Sequence, residues 1–327
     1  MRHCLPRVAG YGRCLRVVAG VVAAGVLATT GALARPPAGR ALFVRDESLV
    51  TNRDKAAQLL DFCVAKRVKL LLVSAADPSQ QADRWADFLQ RAHSRELTVH
   101  ALGGQPEWGL AAGSEERPGR GFGPKPPFEH LNRILTFNLP RPSGQRFDGV
   151  LHEIDVWASE RYRQADQAAQ HDILSFYIET LCGCWEAVQR LGQPLDYGAV
   201  LPPDADTVVT RAWEDEHKEK HEYTGPAYVH VAGIVDYVVV RDYADTEDRL
   251  LDAARDELRA ASGYNGAAYI AVQTAAADGV PAAATFSDEG EAAMEDVLAT
   301  VTAAFAEHKA FRGVAIDCYE TYRALKP

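Results

Sequence analysis

The sequence predicts an α/β protein folded as a single (β/α)8 barrel, also called a TIM barrel. Short runs of apolar, often β-branched residues alternate with longer segments of helical periodicity, which is typical of a parallel sheet covered by helices. Eight such runs occur, the number that a closed barrel requires. An open doubly wound sheet is the alternative, but no glycine-rich phosphate loop follows the first run, where Arg45-Asp46-Glu47-Ser48 stands instead.

The predicted strands are short and almost uninterrupted by polar residues, as expected for strands buried on both faces. In chain order they are Ala41–Arg45, Leu70–Ser74, Leu97–Leu102, Gly149–Asp155, Tyr197–Leu201, Val235–Val240, Ala268–Gln273 and Gly313–Tyr319. Helical patterns follow at about 52–68, 80–95, 128–137, 167–191, 246–262 and 289–307.

Two connections are not helical in pattern. The Gly/Pro-rich stretch Gly103–Pro127, after the third strand, predicts a long loop on the active face of the barrel. The charged stretch from Trp213 to His221 predicts an irregular, solvated connection rather than a metal site. Since no internal repeat or second domain is evident, we expect one barrel domain over residues 35–327.

Residues 1–34 differ from the rest and predict a cleavable secretory signal peptide. Four arginines precede the short apolar run Val17–Leu27, and Ala32-Leu33-Ala34 supplies the small residues of a cleavage site. An uncleaved membrane anchor is the alternative, although the run is short and rich in glycine and alanine for a stable span. We therefore expect a secreted or periplasmic protein with no stable membrane anchor after cleavage.

The composition is that of an ordinary globular protein, with 47% hydrophobic and 24% charged residues. Loss of the leader's four arginines would take the net charge from −10 to −14, and an acidic surface repels the phosphates of nucleic acid. The four remaining cysteines are too few for a disulfide scaffold, so we interpret them mostly as small buried apolar residues. Their pairing and the oligomeric state stay open. The residues in question are Cys63, Cys182, Cys184 and Cys318.

Polar side chains that could form a site cluster where the predicted strands end. In a (β/α)8 barrel the active site lies at the carboxyl ends of the strands, so these positions carry the functional information. The candidates for substrate binding are Arg45, His100, Glu107, Trp108, Trp157, Arg241, Asp242, Tyr243, Gln273, Asp317 and Tyr319.

The fourth predicted strand carries the candidate catalytic pair, Glu153 and Asp155. Alternate side chains of a strand share a face, so the two carboxylates would lie on one side, roughly 7 Å apart at Cα. Two acids close together raise at least one pKa, and a pair of this kind is what glycoside hydrolysis needs. The alternative is that salt bridges to Arg45 or Arg241 engage both acids and only hold the barrel mouth together.

Several of these segments resemble the strands of chitinase-like glycoside hydrolases and of related secreted bacterial barrels. The segment Phe147–Asp155 resembles their fourth strand, and Val240–Tyr243 resembles the end of their sixth. The segments Ala271–Thr274 and Gly313–Tyr319 resemble their seventh and eighth strands. The resemblance covers most of the mature chain in order, and it implies a (β/α)8 fold and a carbohydrate ligand at the mouth of the barrel.

The sequence departs from that family pattern at the positions that matter for catalysis. Glu153 stands where the family has an aspartate, and Asp155 stands at the position of the catalytic acid. A shorter acid moves the proton donor by more than about 1 Å, and misplacement on this scale can cost about 10²-fold in rate. The remaining departures are Val156 for a proline, Val240 for a tyrosine, Gln273 for a glutamate and Asp317 for a histidine.

Aromatic rings at the mouth would suit sugar recognition, because a flat ring packs on the apolar face of a pyranose. The four candidates are Trp108, Trp157, Tyr243 and Tyr319.

The leading functional hypothesis is an exported glycosidase-like hydrolase without a cofactor, in which Asp155 donates the proton and Glu153 assists. A barrel that binds glycans without cleaving them is the second. A metal-dependent hydrolase is the third, and its ligands would come from His100, Glu107, Glu153, Asp155 and Asp317, although no His-x-His or His-Glu-x-x-His spacing occurs. Ser74 lacks the motif of a serine hydrolase.

Overall fold

A computed structural model describes residues 39–110, 126–192, 194–214, 220–276 and 281–327. The predicted signal peptide, residues 1–34, lies outside the described residues, as does most of the predicted long loop, at residues 111–125.

Eight parallel strands close into a barrel, as predicted. Around the barrel they run β1, β2, β3, β4, β5, β8, β9 and β10, and β10 pairs with β1. Two further strands, β6 and β7, form a separate antiparallel ribbon. The strands are β1 Gly39–Val44, β2 Val68–Ser74, β3 Thr98–Gly103, β4 Gly149–His152, β5 Asp196–Leu201, β6 Val208–Glu214, β7 Lys220–Pro226, β8 Tyr237–Val240, β9 Ala267–Gln273 and β10 Phe311–Asp317.

Helices surround the barrel and cover the outer face of its strands. The α-helices are α1 Ser48–Thr51, α2 Arg53–Ala65, α3 Ala82–His93, α4 Pro126–Asn138, α5 Glu160–Gln164, α6 Gln167–Leu191, α7 Ala227–Ala232, α8 Glu247–Gly263, α9 Glu291–Ala304 and α10 Tyr319–Tyr322. Short 3₁₀ turns occur at Pro78–Gln81, Pro106–Gly109, Ser143–Gln145, Val156–Ala158, Pro203–Asp206 and Ala282–Ala284. Among the helices that the structure describes, none is long and apolar enough to cross a membrane.

The longest helix, α6, shows how local sequence sets these boundaries. The Asp166 side chain accepts a hydrogen bond from the backbone N–H of Ala169 and caps the amino end. At the other end Gly192 has φ of 61°, a left-handed conformation that glycine adopts at little cost. The helix therefore runs over the predicted residues 167–191.

The inside of the barrel is filled by side chains and is not a pore. Apolar residues such as Phe43, Leu72 and Leu151 form one cluster there. Below them, two glycines make room for two large rings. A Cβ at Gly149 would lie 2.6 Å from the His100 ring, and one at Gly198 would lie 2.3 Å from the Tyr237 ring. These rings close the amino-terminal end of the barrel.

His100 is part of this floor and not of the mouth where the sequence placed it. It lies within β3, is 3% exposed, and its Nδ1 atom is 2.8 Å from the Tyr237 hydroxyl. The register pairs His100 with Gly149, the first residue of β4, which puts it at the opposite end of the strand from Glu153. Burial lowers the pKa of His100 to about 4, so the ring is neutral at physiological pH.

The connection after β5 differs from the predicted irregular loop, because β6 and β7 pair along it in antiparallel register. Val209 pairs with Gly225, and the hydroxyls of Thr210 and Thr224, directly opposite each other, are 2.9 Å apart. Residues 215–219, within the charged run, lie outside the described residues.

Among the described residues, Cys63 and Cys318 carry free thiols. Cys63 and Cys184 are buried, as predicted for small apolar residues, and Cys318 is partly exposed.

Candidate functional site

Four charged side chains point inward at the carboxyl end of the barrel. Arg45, Glu153 and Arg241 each follow the last residue of a strand, and Asp317 is the last residue of β10. Each is two positions beyond an inward-facing residue of the same strand, so alternation turns all four toward the barrel axis. The mouth of the barrel is therefore lined by charge above an apolar interior.

Arg45 joins two acids from opposite sides of the mouth. Its Nε and Nη2 atoms donate to the two carboxylate oxygens of Asp317, at 2.8 and 2.6 Å. Its Nη1 atom donates to Oε2 of Glu153 at 2.8 Å. The guanidinium also lies 5.1 Å from the centroid of the Phe43 ring beneath it. With 39% of its side chain exposed, Arg45 is the most accessible member of the cluster.

Arg241 joins the two carboxylates that the sequence proposed as a catalytic pair. Its Nη1 atom donates to Oε1 of Glu153 at 2.6 Å, and its Nη2 atom donates to Oδ2 of Asp155. The other oxygen of Asp155 accepts from the backbone N–H of Ala158, which caps a 3₁₀ turn. The strand itself ends at His152, so Asp155 lies beyond β4 and not on it as predicted.

Tyr243 completes the cluster. Its hydroxyl donates to Oδ2 of Asp317 at 2.7 Å. Burial and the neighbouring Asp317 carboxylate raise the pKa of the Tyr243 phenol well above its ordinary value, so the hydroxyl keeps its proton. We call Arg45, Glu153, Asp155, Arg241, Tyr243 and Asp317 the mouth network.

The mouth network can donate and accept hydrogen bonds in fixed directions. Two guanidinium groups and three carboxylates lie in mutual contact, and the carboxylate oxygens have lone pairs left to accept further bonds. The salt-bridged arrangement, which the sequence left open as the alternative to an acid–base pair, is the one present here.

The other polar candidates lie around the network. Gln273 ends β9 in the same inward phase and is half-buried, and Glu107 is exposed in the 3₁₀ turn after β3. Asp242 is one position out of phase with Arg241 and faces the outer shell. Burial, and the nearby charge of Asp206, raise the pKa of the Asp242 carboxyl.

Three of the four aromatic residues expected at the mouth pack elsewhere. Trp157 is 5% exposed, and its Nε1 atom donates to the Thr207 hydroxyl at 3.1 Å. Tyr319 is 2% exposed and packs edge-to-face on Phe62 of α2. Trp108 packs against the rings of His130 and His152 in the shell. Of the four, Tyr243 alone belongs to the mouth network.

Sequence reasoning missed a group of buried polar residues behind the mouth. His130 of α4, His152 of β4 and Tyr197 of β5 are buried and hydrogen-bonded to one another. The Trp108 ring lies 5.7 Å from the His130 ring and 6.0 Å from the His152 ring. The available signal was the position of His152, which is out of phase with the inward residues of its strand.

A cavity of about 400 Å³ lies outside the barrel, between α1, α2 and α3. It is lined by Val50, Thr51, Asn52, Arg53, Asp83, Arg84 and Asp87. The charged residues around it are exposed surface groups, whereas those of the mouth network are held by one another. We therefore place the candidate site at the mouth.

Within the described ranges, no three His, Cys, Asp or Glu side chains lie together in a way that could hold a metal ion. Of the five ligands that the metal hypothesis requires, His100 lies at the floor of the barrel and Glu107 is exposed beyond β3. The described residues therefore do not support that hypothesis.

No protein-family model matches the sequence, and no similar sequence is found among curated proteins. Solved structures do match. A GH5_18 protein from Streptomyces cattleya, in complex with GlcNAc, has a TM-score of 0.51 at 14% identity, over 86% of this chain and 71% of that one. The chain shares the fold of a (β/α)8 glycoside hydrolase.

Two further barrels agree with this assignment of the fold. A β-glucosidase from Thermotoga maritima, in complex with deoxynojirimycin, has a TM-score of 0.50 at 9% identity, over 86% of this chain and 88% of that one. A β-galactosidase from the psychrophilic Marinomonas ef1 has a TM-score of 0.50 at 12% identity, over 86% of this chain and 54% of that one. The predicted resemblance is thus confirmed at the level of the fold.

Proposed function

We propose that this protein binds a carbohydrate at the mouth network. The observation that carries the proposal is the set of mutually fixed donors and acceptors at the carboxyl end of the barrel. Sugar hydroxyls both donate and accept, so they can donate to Glu153 and Asp317 while accepting from the guanidinium groups. The groups are ordered before the ligand arrives, which lowers the entropic cost of binding.

The contacts of Asp155 favour binding over cleavage. A general acid must point a proton at the leaving group, whereas both Asp155 oxygens already accept hydrogen bonds, one from Arg241 and one from the Ala158 N–H. Hydrolysis would require Asp155 to give up one of these contacts as the substrate binds. Binding without turnover is therefore the function that the geometry supports best, and hydrolysis is an outcome of the test below.

The test is isothermal titration calorimetry of the protein with chito-, cello-, xylo- and galacto-oligosaccharides. We expect saturable binding to at least one of them. Replacing Arg45 with methionine should weaken that binding by about tenfold or more, because a charge-assisted hydrogen bond contributes about 1.5–3 kcal/mol. The matched control is Arg259→Met, since Arg259 pairs with Asp256 on the exposed surface of α8. Absence of binding to every oligosaccharide, or equal effects of the two variants, would refute the proposal.

Release of reducing ends, followed with the same oligosaccharides and with aryl glycosides, separates binding from cleavage. We expect no release. Release by the unaltered protein but not by Asp155→Asn would instead establish a glycosidase with its acid at this position.

We also propose that the chain is exported, on the strength of the arginine-rich and apolar pattern of residues 1–34. Expression in a bacterial host should then yield a shortened protein outside the cytoplasm whose first residue is Arg35. Amino-terminal sequencing of that protein is the measurement. An intact amino terminus on protein held in the cytoplasm would contradict export.

A further inference from the structure

A chain of buried hydrogen bonds links the ends of β2 and β4 with α4 and β5 on the outer side of the barrel, just behind the mouth. The Nε2 atom of His130 is 3.0 Å from the backbone oxygen of Ala75, and its Nδ1 atom is 3.1 Å from Nε2 of His152. The Nδ1 atom of His152 is 2.8 Å from the Tyr197 hydroxyl. We call His130, His152 and Tyr197 the histidine chain.

Chemistry determines the direction of every bond in the histidine chain. The Ala75 oxygen can only accept, so His130 carries its proton on Nε2. Burial lowers the pKa of His130 to about 4, and its ring is therefore neutral and accepts at Nδ1. His152 must then donate from Nε2 and accept the Tyr197 proton at Nδ1. Both histidines are consequently expected in the Nε2–H tautomer.

The groups that face the histidine chain keep it neutral and enclosed. Besides burial, Arg133, one turn further along α4, disfavours a positive charge on the His130 ring, and His130 disfavours one on the His152 ring. The Tyr197 hydroxyl contacts the Cys184 thiol of α6 and lies near Tyr177. The Trp108 ring covers both imidazoles. No carboxylate is among these contacts to the two imidazoles within the described residues.

The histidine chain lies directly against the backbone that carries Glu153. His152 precedes Glu153, and the Glu153 N–H donates to the Gly103 oxygen at 2.9 Å. The His130 ring occupies the space above Gly103, where a Cβ would lie 2.6 Å from it. Gly104 packs closely against the same segment, since a Cβ there would lie 2.1 Å from the backbone oxygen of Glu153.

We propose that the histidine chain is a positioning device for the mouth network. By tying the ends of β2 and β4 to α4 and to the Tyr197 side chain of β5, it fixes the backbone at residue 153, and with it the carboxylate to which Arg45 and Arg241 both donate. His130, His152 and Tyr197 thus act through Glu153 and not by touching a ligand. The role of this positioning in ligand binding rests on the function proposed above, whereas the coupling itself does not.

Nuclear magnetic resonance can measure that coupling without any ligand. In the unaltered protein, long-range ¹H–¹⁵N correlations should show the Nε2–H tautomer for His130 and His152. The backbone N–H of Glu153, which is bonded to the Gly103 oxygen, should exchange slowly with water. In His152→Leu this exchange should be faster by about tenfold or more, because the segment holding Glu153 opens locally.

Two comparisons separate positioning from general destabilisation. His152→Gln keeps an amide donor toward His130, and the exchange of the Glu153 N–H should stay within about threefold of the unaltered protein. Leu298→Ala removes a buried side chain of α9 and lowers stability, yet should leave that exchange unchanged. Should His152→Leu not fold, Tyr197→Phe removes one hydroxyl from the chain and should accelerate the exchange in the same direction.

Three results would overturn the proposal. They are an Nδ1–H tautomer on either histidine, unchanged exchange of the Glu153 N–H in folded His152→Leu or Tyr197→Phe, and equal acceleration in Leu298→Ala. None of them depends on a sugar. A protein that binds no oligosaccharide but shows the expected exchange would therefore refute the proposed function and leave the positioning role intact.

Discussion

Replacing Arg241 with methionine is expected to lower the free energy of unfolding by about 3 kcal/mol, because it removes a shared cation from two largely buried acids. Asp155 loses its guanidinium partner altogether, while Glu153 keeps only Arg45. The carboxylates are mostly shielded from water, with side-chain exposures of 15% for Glu153 and 19% for Asp155, so solvent compensates little. Urea denaturation monitored by tryptophan fluorescence measures the loss.

Arg259→Met is the control for Arg241→Met. Its ion pair with Asp256 is exposed on both sides, and such pairs contribute about 0.5 kcal/mol or less. Adding Asp155→Asn to Arg241→Met should restore part of the lost stability, since the unpaired charge is then gone. Equal losses for Arg241→Met and Arg259→Met would mean that the mouth network does not hold the strand ends together.

The barrel is also expected to lose stability steeply in acid, with about 3 kcal/mol of the loss due to His100 alone. Burial lowers the pKa of His100 from 6.5 to about 4, so between these values the unfolded chain binds a proton that the folded chain does not. The contribution of neutral His100 to the free energy of unfolding is fully present above about pH 6.5 and is lost as the pH falls toward about 4. His130 titrates in the same sense.

Comparison with His100→Phe isolates this contribution. Phenylalanine fills much of the same space and cannot titrate, although the Tyr237 hydroxyl then lacks its partner at every pH. Denaturation at a series of pH values should show the unaltered protein losing about 3 kcal/mol more than the variant between about pH 7 and pH 4. Parallel pH profiles would show that His100 is solvated or protonated in the folded barrel.

The fold could be predicted from the sequence because parallel strands buried on both faces leave a strong signal. Runs such as Leu70–Val73 have few polar residues, and helical periods separate them. The β6–β7 ribbon was missed because its residues include the charged run that begins at Glu214, which resembles a solvated loop. The pairing of β6 with β7 depends on contacts between the two strands, and the charge pattern does not predict these contacts.

The membership of the mouth network was predictable, and its salt bridges were one of two alternatives that the sequence left open. Strand phase alone placed Arg45, Glu153, Arg241 and Asp317 at one end of the barrel. Which acid meets which guanidinium depends on side-chain conformations, and so does the direction in which an aromatic ring points. Trp157, for example, was expected at the mouth, but its ring lies in the shell, where its Nε1 atom donates to the Thr207 hydroxyl. The partner of His152 was also unpredictable, because His130 lies 22 residues away on a helix.

The floor formed by His100 and Tyr237 restricts how a polymer could be handled. With those rings packed against Gly149 and Gly198, the part of the barrel that the structure describes has no tunnel through it, so a chain cannot be threaded through and drawn out on the far side. A long glycan would have to lie across the rim, presenting one or a few of its units downward. Entry and departure would then share a single opening, and a bound segment would block the approach of the next.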